Sequence, residues 1–266
     1  GVKDEPQHIK QGRITPEQLE LLEIPYRVVA PESDPQDLAV WSRERLDKTG
    51  APVALLVKKG AFAAYKSQRN AARDVTLARE DALDVLLDLA GEAVIVSTTG
   101  KTSREVFELR VARGEKQRDF LTVGGIGRTA SIALGVAMGQ PAKSVVCIDG
   151  DGSSLMHLGA LPIIGSLQRP NFTHVLLNNA AHESVGGQPT VGDRVDFRAI
   201  ALASGYNAYA VASTQEEVKT AWARLADHSG PVMLEVRITT GSRDDLGRPT
   251  STPRENKQAF MEWVAT

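Results

Sequence analysis

The sequence predicts an α/β protein built on a doubly wound parallel sheet, preceded by a second, shorter α/β block. Three observations predict this class. Short apolar strands alternate with helical patterns over most of the chain, Gly-rich or polar turns follow the strands, and the composition is globular: of 266 residues, 42% are hydrophobic and 24% are charged. Strands that alternate with helices favour a parallel sheet covered by helices on both faces.

The first block, residues 1–74, carries two helical patterns and one strand. Each helical pattern begins with proline, after the good N-cap residue Thr15 in one case and after Ser33-Asp34 in the other. The strand is short, apolar and closed by a Lys-Lys-Gly turn. The predicted elements are a helix over Pro16–Leu22, a helix over Pro35–Lys48, a strand over Pro52–Val57 and a linker over residues 63–76.

The second block, residues 75–266, alternates strands and helices more regularly than the first. The helical pattern near residue 160 contains Pro162, which predicts an interruption there. Ligands of doubly wound sheets bind outside the carboxyl ends of the strands, so the turns after the strands are the candidate site. Helices are predicted over Arg79–Leu89, Ser103–Leu109, Arg128–Met138, Leu155–Leu167, Phe197–Ser204 and Gln215–Ala226, and strands over Ala93–Ser97, Phe120–Val123, Ser144–Ile148, His174–Leu177, Ala208–Val211 and Val232–Val236.

Composition excludes several classes of protein. The 31 Lys and Arg residues nearly balance the 33 Asp and Glu residues, so the chain lacks the basic excess typical of non-specific nucleic-acid binding. The single cysteine, Cys147, excludes an internal disulfide framework and a CxxC metal site, and its place in a strand favours a core role. No apolar run approaches the roughly 18 residues of a membrane span, and the first residues do not resemble a signal peptide. We therefore expect a cytoplasmic protein.

A glycine-rich turn precedes the helix at Arg128. Gly125-x-Gly127-x-x-Ala130 opens a helix, and the next strand ends at Asp149. This is close to a dinucleotide fingerprint, in which glycines admit the pyrophosphate and an acid binds the ribose. A helix that packs on a sheet through small residues gives the same pattern, so the motif alone leaves both interpretations open.

A second motif joins the ends of two consecutive strands. Gly150-Asp151-Gly152 follows one strand and Asn178-Asn179 follows the next. An acid and an amide there supply hard oxygen ligands for Mg²⁺, which commonly completes its shell with a diphosphate. The glycines allow backbone N–H groups and Ser153 to approach phosphate oxygens.

This pair of motifs is similar to the metal and diphosphate motif of thiamine diphosphate (TPP) enzymes. Across most of the chain the sequence resembles the phosphonopyruvate decarboxylase family, which is close to the sulfopyruvate decarboxylases. The resemblance implies that residues 1–74 are the C-terminal part of a pyrimidine-binding domain plus a linker, and residues 75–266 a diphosphate-binding domain. It rests on DEPQHIKQGRIT (4–15), STTGKTSRE (97–105), FLTVGGIG (120–127), DGDGSSLMHLG (149–159), LNNAAHESVGGQPT (177–190) and GSRDDLGRPTSTPRENK (241–257).

The resemblance implies a set of cofactor and metal residues. Ile126 would be the wedge beneath the bent cofactor, and the carbonyl of Gly124 would accept a hydrogen bond from its aminopyrimidine, which replaces the dinucleotide interpretation of this turn. The Mg²⁺ ligands would be Asp151, Asn179 and the backbone carbonyl of Ala181. The cofactor-binding residues would be Thr98, Thr99, Gly100, Gly124, Gly125, Ile126, Gly150, Asp151, Gly152, Ser153 and Asn179.

Further side chains are candidates for catalysis and for binding an anionic substrate. His182 and Glu183 directly follow the predicted metal loop, where a histidine can donate or position a proton; a loop pair hydrogen-bonded to the backbone is the equally weighted alternative. The segment DEPQH, which contains His8, resembles the histidine region on the substrate side of the pyrimidine-binding domain. A surface histidine is the alternative interpretation of His8. Guanidinium and ammonium groups suit a phosphonate dianion, although a solvated surface role explains any single one of them. The substrate candidates are Lys101, Arg104, Arg243 and Arg248.

The resemblance implies non-oxidative decarboxylation of 3-phosphonopyruvate to phosphonoacetaldehyde and CO₂ by a homodimer or higher oligomer. Its sites would lie between pyrimidine-binding and diphosphate-binding domains of different subunits. No glutamate of this chain matches the family's activating glutamate, which lies further upstream, so we expect an N-terminally truncated chain or a second chain that supplies it. Sulfopyruvate or another 2-keto acid is the alternative substrate, and a catalytically silent TPP-binding module is the alternative class.

Overall fold

The structure, a computed structural model, describes residues 6–63 and 74–266. These residues belong to two compact units that divide near residue 72. In the part of the chain described, no helix combines the length and apolar character that a membrane span requires. The linker predicted over residues 63–76 falls mostly outside the described residues.

The first unit pairs two helices with two parallel strands. Helix α2 begins where predicted, because the Asp34 side chain accepts a hydrogen bond from the N–H of Gln36, and it ends at Gly50, whose φ is 61°. The other helix begins earlier than predicted and contains Pro16, and β1 was not predicted. The elements are α1 (Pro6–Leu21), β1 (Tyr26–Val29), α2 (Pro35–Thr49) and β2 (Ala54–Val57).

The second unit contains a six-stranded sheet in the order β4-β3-β5-β6-β10-β9, in which every pairing is parallel. This confirms the predicted α/β class. Its strands are β3 (Val94–Ser97), β4 (Phe120–Leu121), β5 (Val145–Gly150), β6 (Phe172–Asn178), β9 (Ala208–Ala212) and β10 (Val232–Arg237), and a short antiparallel hairpin follows β6, formed by β7 (Ala181–His182) and β8 (Gln188–Pro189).

Helices cover both faces of this sheet. Along β5, Val146 and Ile148 pack into one hydrophobic cluster, whereas Val145 and Cys147 pack into the other, as the two-residue period of a strand requires. Cys147 is fully buried, as expected for a core residue. The helices are α3 (Arg79–Ala90), α4 (Lys101–Ala112), α5 (Thr129–Gly139), α6 (Asp151–Met156), α7 (Ala160–Leu167), α8 (Phe197–Ala203), α9 (Gln215–Ala226) and α10 (Pro253–Ala265).

Two predictions for this unit need correction. The helix predicted over Leu155–Leu167 is two helices, α6 and α7, and the break lies at residues 157–159 rather than at Pro162. Pro162 lies in the first turn of α7, where the missing backbone N–H has no helical partner to lose. The strand predicted over Phe120–Val123 has only two residues, and α10 was not predicted at all.

The register of the central strands determines where the polar motifs meet. Ser97 at the end of β3 is opposite Ile148 of β5, and Gly150 at the end of β5 is opposite Leu177 of β6. The turns that follow β3, β5 and β6 therefore emerge side by side at one edge of the sheet.

Candidate cofactor site

A pocket lies at the edge where these three strands end. It brings together most of the residues that the sequence predicts for the cofactor, the metal and catalysis. Three of the predicted cofactor residues are not among the lining residues, namely Gly100, Gly124 and Gly125. The pocket is lined by Arg79, Thr98, Thr99, Lys101, Thr102, Ile126, Gly150, Asp151, Gly152, Ser153, Leu177, Asn179, Ala181, His182, Glu183, Ser184, Val185 and Ile238.

Asp151 starts helix α6 and is almost fully buried. The hydroxyl of Thr190 donates to its Oδ2 atom, and the backbone N–H groups of Asn179 and Gly152 also donate to the carboxylate. Burial raises the pKa of Asp151 above its usual value, and these hydrogen bonds oppose the rise. A bound cation would stabilise the ionised carboxylate further.

The two asparagines after β6 have different environments. Asn178 is buried, and its Nδ2 donates to the carbonyl of Gly192 at 3.1 Å and to Glu235 at 3.0 Å. Asn179 lines the pocket instead: its Nδ2 donates to Glu183 at 2.8 Å, and its Oδ1 accepts from the N–H of Ala181 at 3.1 Å. Asp151 and Asn179 therefore share one pocket, as the predicted metal site requires.

Two glycines let other groups approach the pocket closely. A Cβ on Gly100, whose φ is 93°, would lie 2.0 Å from the Oγ of Ser184, and a Cβ on Gly152 would lie 2.4 Å from the ring of His182. Both glycines stand at helix N-termini, where backbone N–H groups attract phosphate. The glycine cradle and the carboxylate and amide oxygens fit a diphosphate bound with a divalent cation. Within the described residues, no group of three or more His, Cys, Asp or Glu side chains is arranged to hold a metal ion.

The turn of Gly124 to Gly127 is joined to the pocket by Ser153. The Ser153 Oγ accepts from the N–H of Gly127 at 3.0 Å and from the hydroxyl of Thr98 at 3.2 Å. The three glycines of this turn, Gly124, Gly125 and Gly127, have positive φ, and Ile126 between them lines the pocket. The roles predicted for Ile126 as a wedge and for the Gly124 carbonyl stay predictions.

His182 and Glu183 lie in the hairpin after β6, at the pocket. A positive charge on His182 would oppose the rise in the pKa of Asp151 that burial causes. Glu183 accepts hydrogen bonds from Arg79 at 2.6 Å and from the N–H of Gly241 at 2.6 Å, besides that from Asn179. His8 lies on α1 in the first unit and is exposed, and its catalytic role stays a prediction.

Arg79 and Thr190 also belong to the site, although the sequence pattern does not predict them. Arg79 is buried at the start of α3 and forms two hydrogen bonds with Glu105, at 2.6 and 2.9 Å, in addition to its bond with Glu183. An arginine at the start of a largely apolar helix was the available signal. Thr190 lies within the GGQPT segment, but the sequence does not show that its hydroxyl reaches Asp151.

The structure separates the four predicted substrate cations. Lys101 lines the pocket, with its Nζ 3.6 Å from Glu183. Arg243 pairs with Glu80 at 3.0 Å, with Asp245 at 3.3 Å and with Glu108. Arg104, Arg243 and Arg248 are not among the described residues that line the pocket.

Comparisons with known proteins agree with this geometry. Residues 99–236 match the family model described as "Thiamine pyrophosphate enzyme, C-terminal TPP binding domain". Phosphonopyruvate decarboxylase of Streptomyces viridochromogenes is 35% identical over 283 residues, which cover 100% of this chain and 70% of that protein. The chain belongs to the thiamine pyrophosphate enzymes, in the group of the phosphonopyruvate decarboxylases.

Two further relatives define the group around this chain. Phosphonopyruvate decarboxylase of Streptomyces hygroscopicus is 34% identical over 99% of the chain and 69% of its own length. Sulfopyruvate decarboxylase subunit beta of Methanothermobacter thermautotrophicus is 32% identical over 63% of the chain and 85% of its own length. The comparisons confirm the predicted resemblance, the TPP cofactor and the decarboxylase class.

Proposed function

We propose that the chain forms the diphosphate-binding part of a Mg²⁺-dependent TPP enzyme that decarboxylates 3-phosphonopyruvate to phosphonoacetaldehyde and CO₂. The observation that carries the proposal is that Asp151 and Asn179 line one pocket at the ends of adjacent strands. The match to phosphonopyruvate decarboxylases over the whole chain supports the substrate.

The pocket residues divide between the metal and the cofactor. Asp151, the Oδ1 of Asn179 and the carbonyl of Ala181 would hold Mg²⁺, and Thr98, Thr99 and Ser153 would bind the diphosphate. When bound, TPP supplies the carbon nucleophile and the electron sink that decarboxylation needs. The chain's own contribution is to fix the diphosphate end and to surround the reacting end with apolar Ile126 and the side chain of His182, which can hold or donate a proton.

Lys101 is the substrate candidate that the geometry favours. Its ammonium group is partly exposed at the pocket, where it can face an anionic keto acid, whereas Arg243 is occupied by three carboxylates. The second candidate substrate is sulfopyruvate, because a sulfopyruvate decarboxylase subunit is among the relatives. Its match covers a smaller share of this chain, so phosphonopyruvate is the first choice.

The substrate is tested by measuring CO₂ release from phosphonopyruvate, sulfopyruvate and pyruvate at saturating TPP and Mg²⁺. We expect the highest kcat/KM for phosphonopyruvate. A preference for pyruvate would contradict the anionic substrate, and TPP binding without CO₂ release from any of the three would favour the silent binding module.

The metal assignment is tested by replacing Asp151 with alanine. Because Asp151 is the only acidic ligand in the proposed set, Asp151→Ala is expected to abolish Mg²⁺-dependent TPP binding, as measured by isothermal titration calorimetry. Asp227→Ala is the control, since Asp227 is an exposed residue at the end of α9. Equal TPP affinity in the two variants would contradict the metal site.

We also propose an oligomeric assembly, because the sulfopyruvate decarboxylase relatives are named as subunits. A homodimer or larger homo-oligomer and a cytoplasmic location stay predictions from the sequence.

A further inference from the structure

The hairpin after β6 contacts both side chains that are proposed to hold Mg²⁺. Its strands, β7 and β8, pair Ala181 with Pro189 and His182 with Gln188, and a 3-10 turn begins at Glu183. Glu183 follows the first strand and Thr190 follows the second. One short segment therefore brings a carboxylate to Asn179 and a hydroxyl to Asp151.

Thr190 fixes the carboxylate of Asp151. Its hydroxyl accepts a hydrogen bond from the N–H of Gly192 at 3.0 Å, so the hydroxyl proton is directed to Oδ2 of Asp151. The N–H of Thr190 donates to the carbonyl of Ala180 at 2.8 Å, which holds the residue in place. Gly192 also closes this side, because a Cβ there would lie 2.5 Å from the same Oδ2 atom.

Glu183 fixes the amide of Asn179. An ionised carboxylate only accepts hydrogen bonds, so it selects the Nδ2 side of the amide and leaves Oδ1 on the other side. Glu183 is itself held on two sides: Arg79 donates to its Oε2 atom and the N–H of Gly241 donates to Oε1, both at 2.6 Å. The side chain is only 11% exposed. The N–H of Ala181 donates to Oδ1 at 3.1 Å and favours the same amide orientation, and the second lone pair of Oδ1 remains available for a metal ion.

We propose that Glu183 and Thr190 are positioning residues that orient Asn179 and Asp151 toward Mg²⁺. The inference rests on the proposed function, since it assumes the metal site, and it gives Glu183 a role through Asn179 instead of the catalytic role predicted from the sequence. Groups that orient metal ligands commonly contribute 10- to 100-fold to metal affinity.

The role of Thr190 is tested by a calorimetric titration of Mg²⁺ into the full chain at saturating TPP. Thr190→Val removes the hydroxyl and keeps the shape, so we expect the Kd for Mg²⁺ to rise by about 10- to 100-fold. Thr190→Ser keeps the hydroxyl and is expected to restore an affinity close to that of the unmodified chain. Thr173→Val is the control: Thr173 is a half-buried strand residue of β6, away from the hairpin.

The role of Glu183 is tested by the same titration with Glu183→Gln. This substitution can turn an N–H donor toward Asn179, and it removes the negative charge that holds Arg79. A similar loss of Mg²⁺ affinity is expected, whereas Glu216→Gln, a change at an exposed residue of α9, is expected to have no effect. If circular dichroism shows that Thr190→Val does not fold, the Glu183→Gln titration still tests the positioning proposal.

The outcomes separate this inference from the proposed function. If Asp151→Ala abolishes Mg²⁺-dependent binding while Thr190→Val and Glu183→Gln leave the Kd unchanged, the positioning role is wrong and the metal site stands. Loss of affinity in Thr190→Ser equal to that in Thr190→Val would also overturn the positioning role, because the hydroxyl would not be the group that matters. If the unmodified chain shows no Mg²⁺-dependent TPP binding, the proposed function is wrong and the inference fails with it.

Discussion

Asp149 and His174 form a buried pair on β5 and β6, two of the strands that end at the candidate site. Oδ2 of Asp149 lies 3.9 Å from Nε2 of His174, and neither atom has a hydrogen-bond partner among the described residues. On the other side of the imidazole ring, Nδ1 is 2.9 Å from the hydroxyl of Tyr206. Burial raises the pKa of Asp149 to about 6 and lowers the pKa of His174 to about 4. At neutral pH, His174 is therefore uncharged in the folded protein.

The depressed pKa of His174 predicts how stability changes with pH. Unfolded histidine binds a proton near pH 6.5, whereas folded His174 binds one only near pH 4, so its contribution to stability is lost as the pH falls between these values. Asp149 has the opposite effect, because the folded state takes up its proton first. Replacing His174 isolates the histidine contribution.

We expect the free-energy difference of unfolding between the unmodified chain and His174→Gln to decrease by on the order of 3 kcal/mol between pH 7 and pH 4. Urea unfolding followed by circular dichroism at several pH values measures it. Parallel stability curves for the two proteins would show that His174 titrates normally in the fold.

For single residues, the sequence pattern predicts the groups that line the cofactor site but not the groups that orient them. Asp151 and Asn179 were predictable because each follows a strand in a recognisable motif. Thr190 and Arg79 were not, because their importance depends on which side chains they meet after folding. Arg243 shows the same limit, since its pairing with three carboxylates depends on how a loop folds onto α3 and α4.

Among the elements, helices α7 and α8 meet at a glycine. A Cβ on Gly165 of α7 would lie 1.7 Å from the carbonyl oxygen of Ser204, at the end of α8. Gly165→Ala is therefore expected to separate the helices and to lower the free energy of unfolding by about 1–3 kcal/mol.

Gly135→Ala is the matched control for this substitution. Gly135 lies inside α5, and a Cβ there would meet nothing within 4 Å. Because alanine favours the helix, we expect a gain of about 0.5–1 kcal/mol. Thermal or urea unfolding of both variants measures the difference, and equal effects would show that the space around Gly165 is not limiting.

Helix α10 shows why some elements could not be predicted from local pattern. Its capping box is present in the sequence: Thr252 accepts from the N–H of Glu255, and Glu255 accepts from the N–H of Thr252. However, what places the helix is Asn256, whose side chain accepts from the N–H of Leu121 and donates to the carbonyl of Asp119. This amide continues the hydrogen bonding of the edge strand β4, and that partner is more than 100 residues earlier in the chain.

At the scale of the whole molecule, the two units differ in how much core they possess. The second unit buries apolar side chains on both faces of its sheet. In the first unit, only Val29 and Ala30 are buried among the described residues, and Val28, Leu55 and Val57 of its two strands are exposed. Two-stranded sheets are marginally stable without further strands or a packed core.

This contrast predicts different behaviour for the two units as separate fragments. A fragment of residues 74–266 is expected to unfold cooperatively, because its sheet and both hydrophobic clusters are its own. A fragment of residues 6–63 is expected to lack cooperative unfolding, because its buried apolar surface is too small to offset the entropy of ordering the chain. Circular dichroism during heating tests both fragments. Cooperative unfolding of residues 6–63 would contradict the expectation for the first unit, because contacts within that fragment alone would then stabilise the parallel pair β1–β2. Failure of residues 74–266 to fold would contradict the expectation for the second unit, because the six-stranded sheet would then need the first unit.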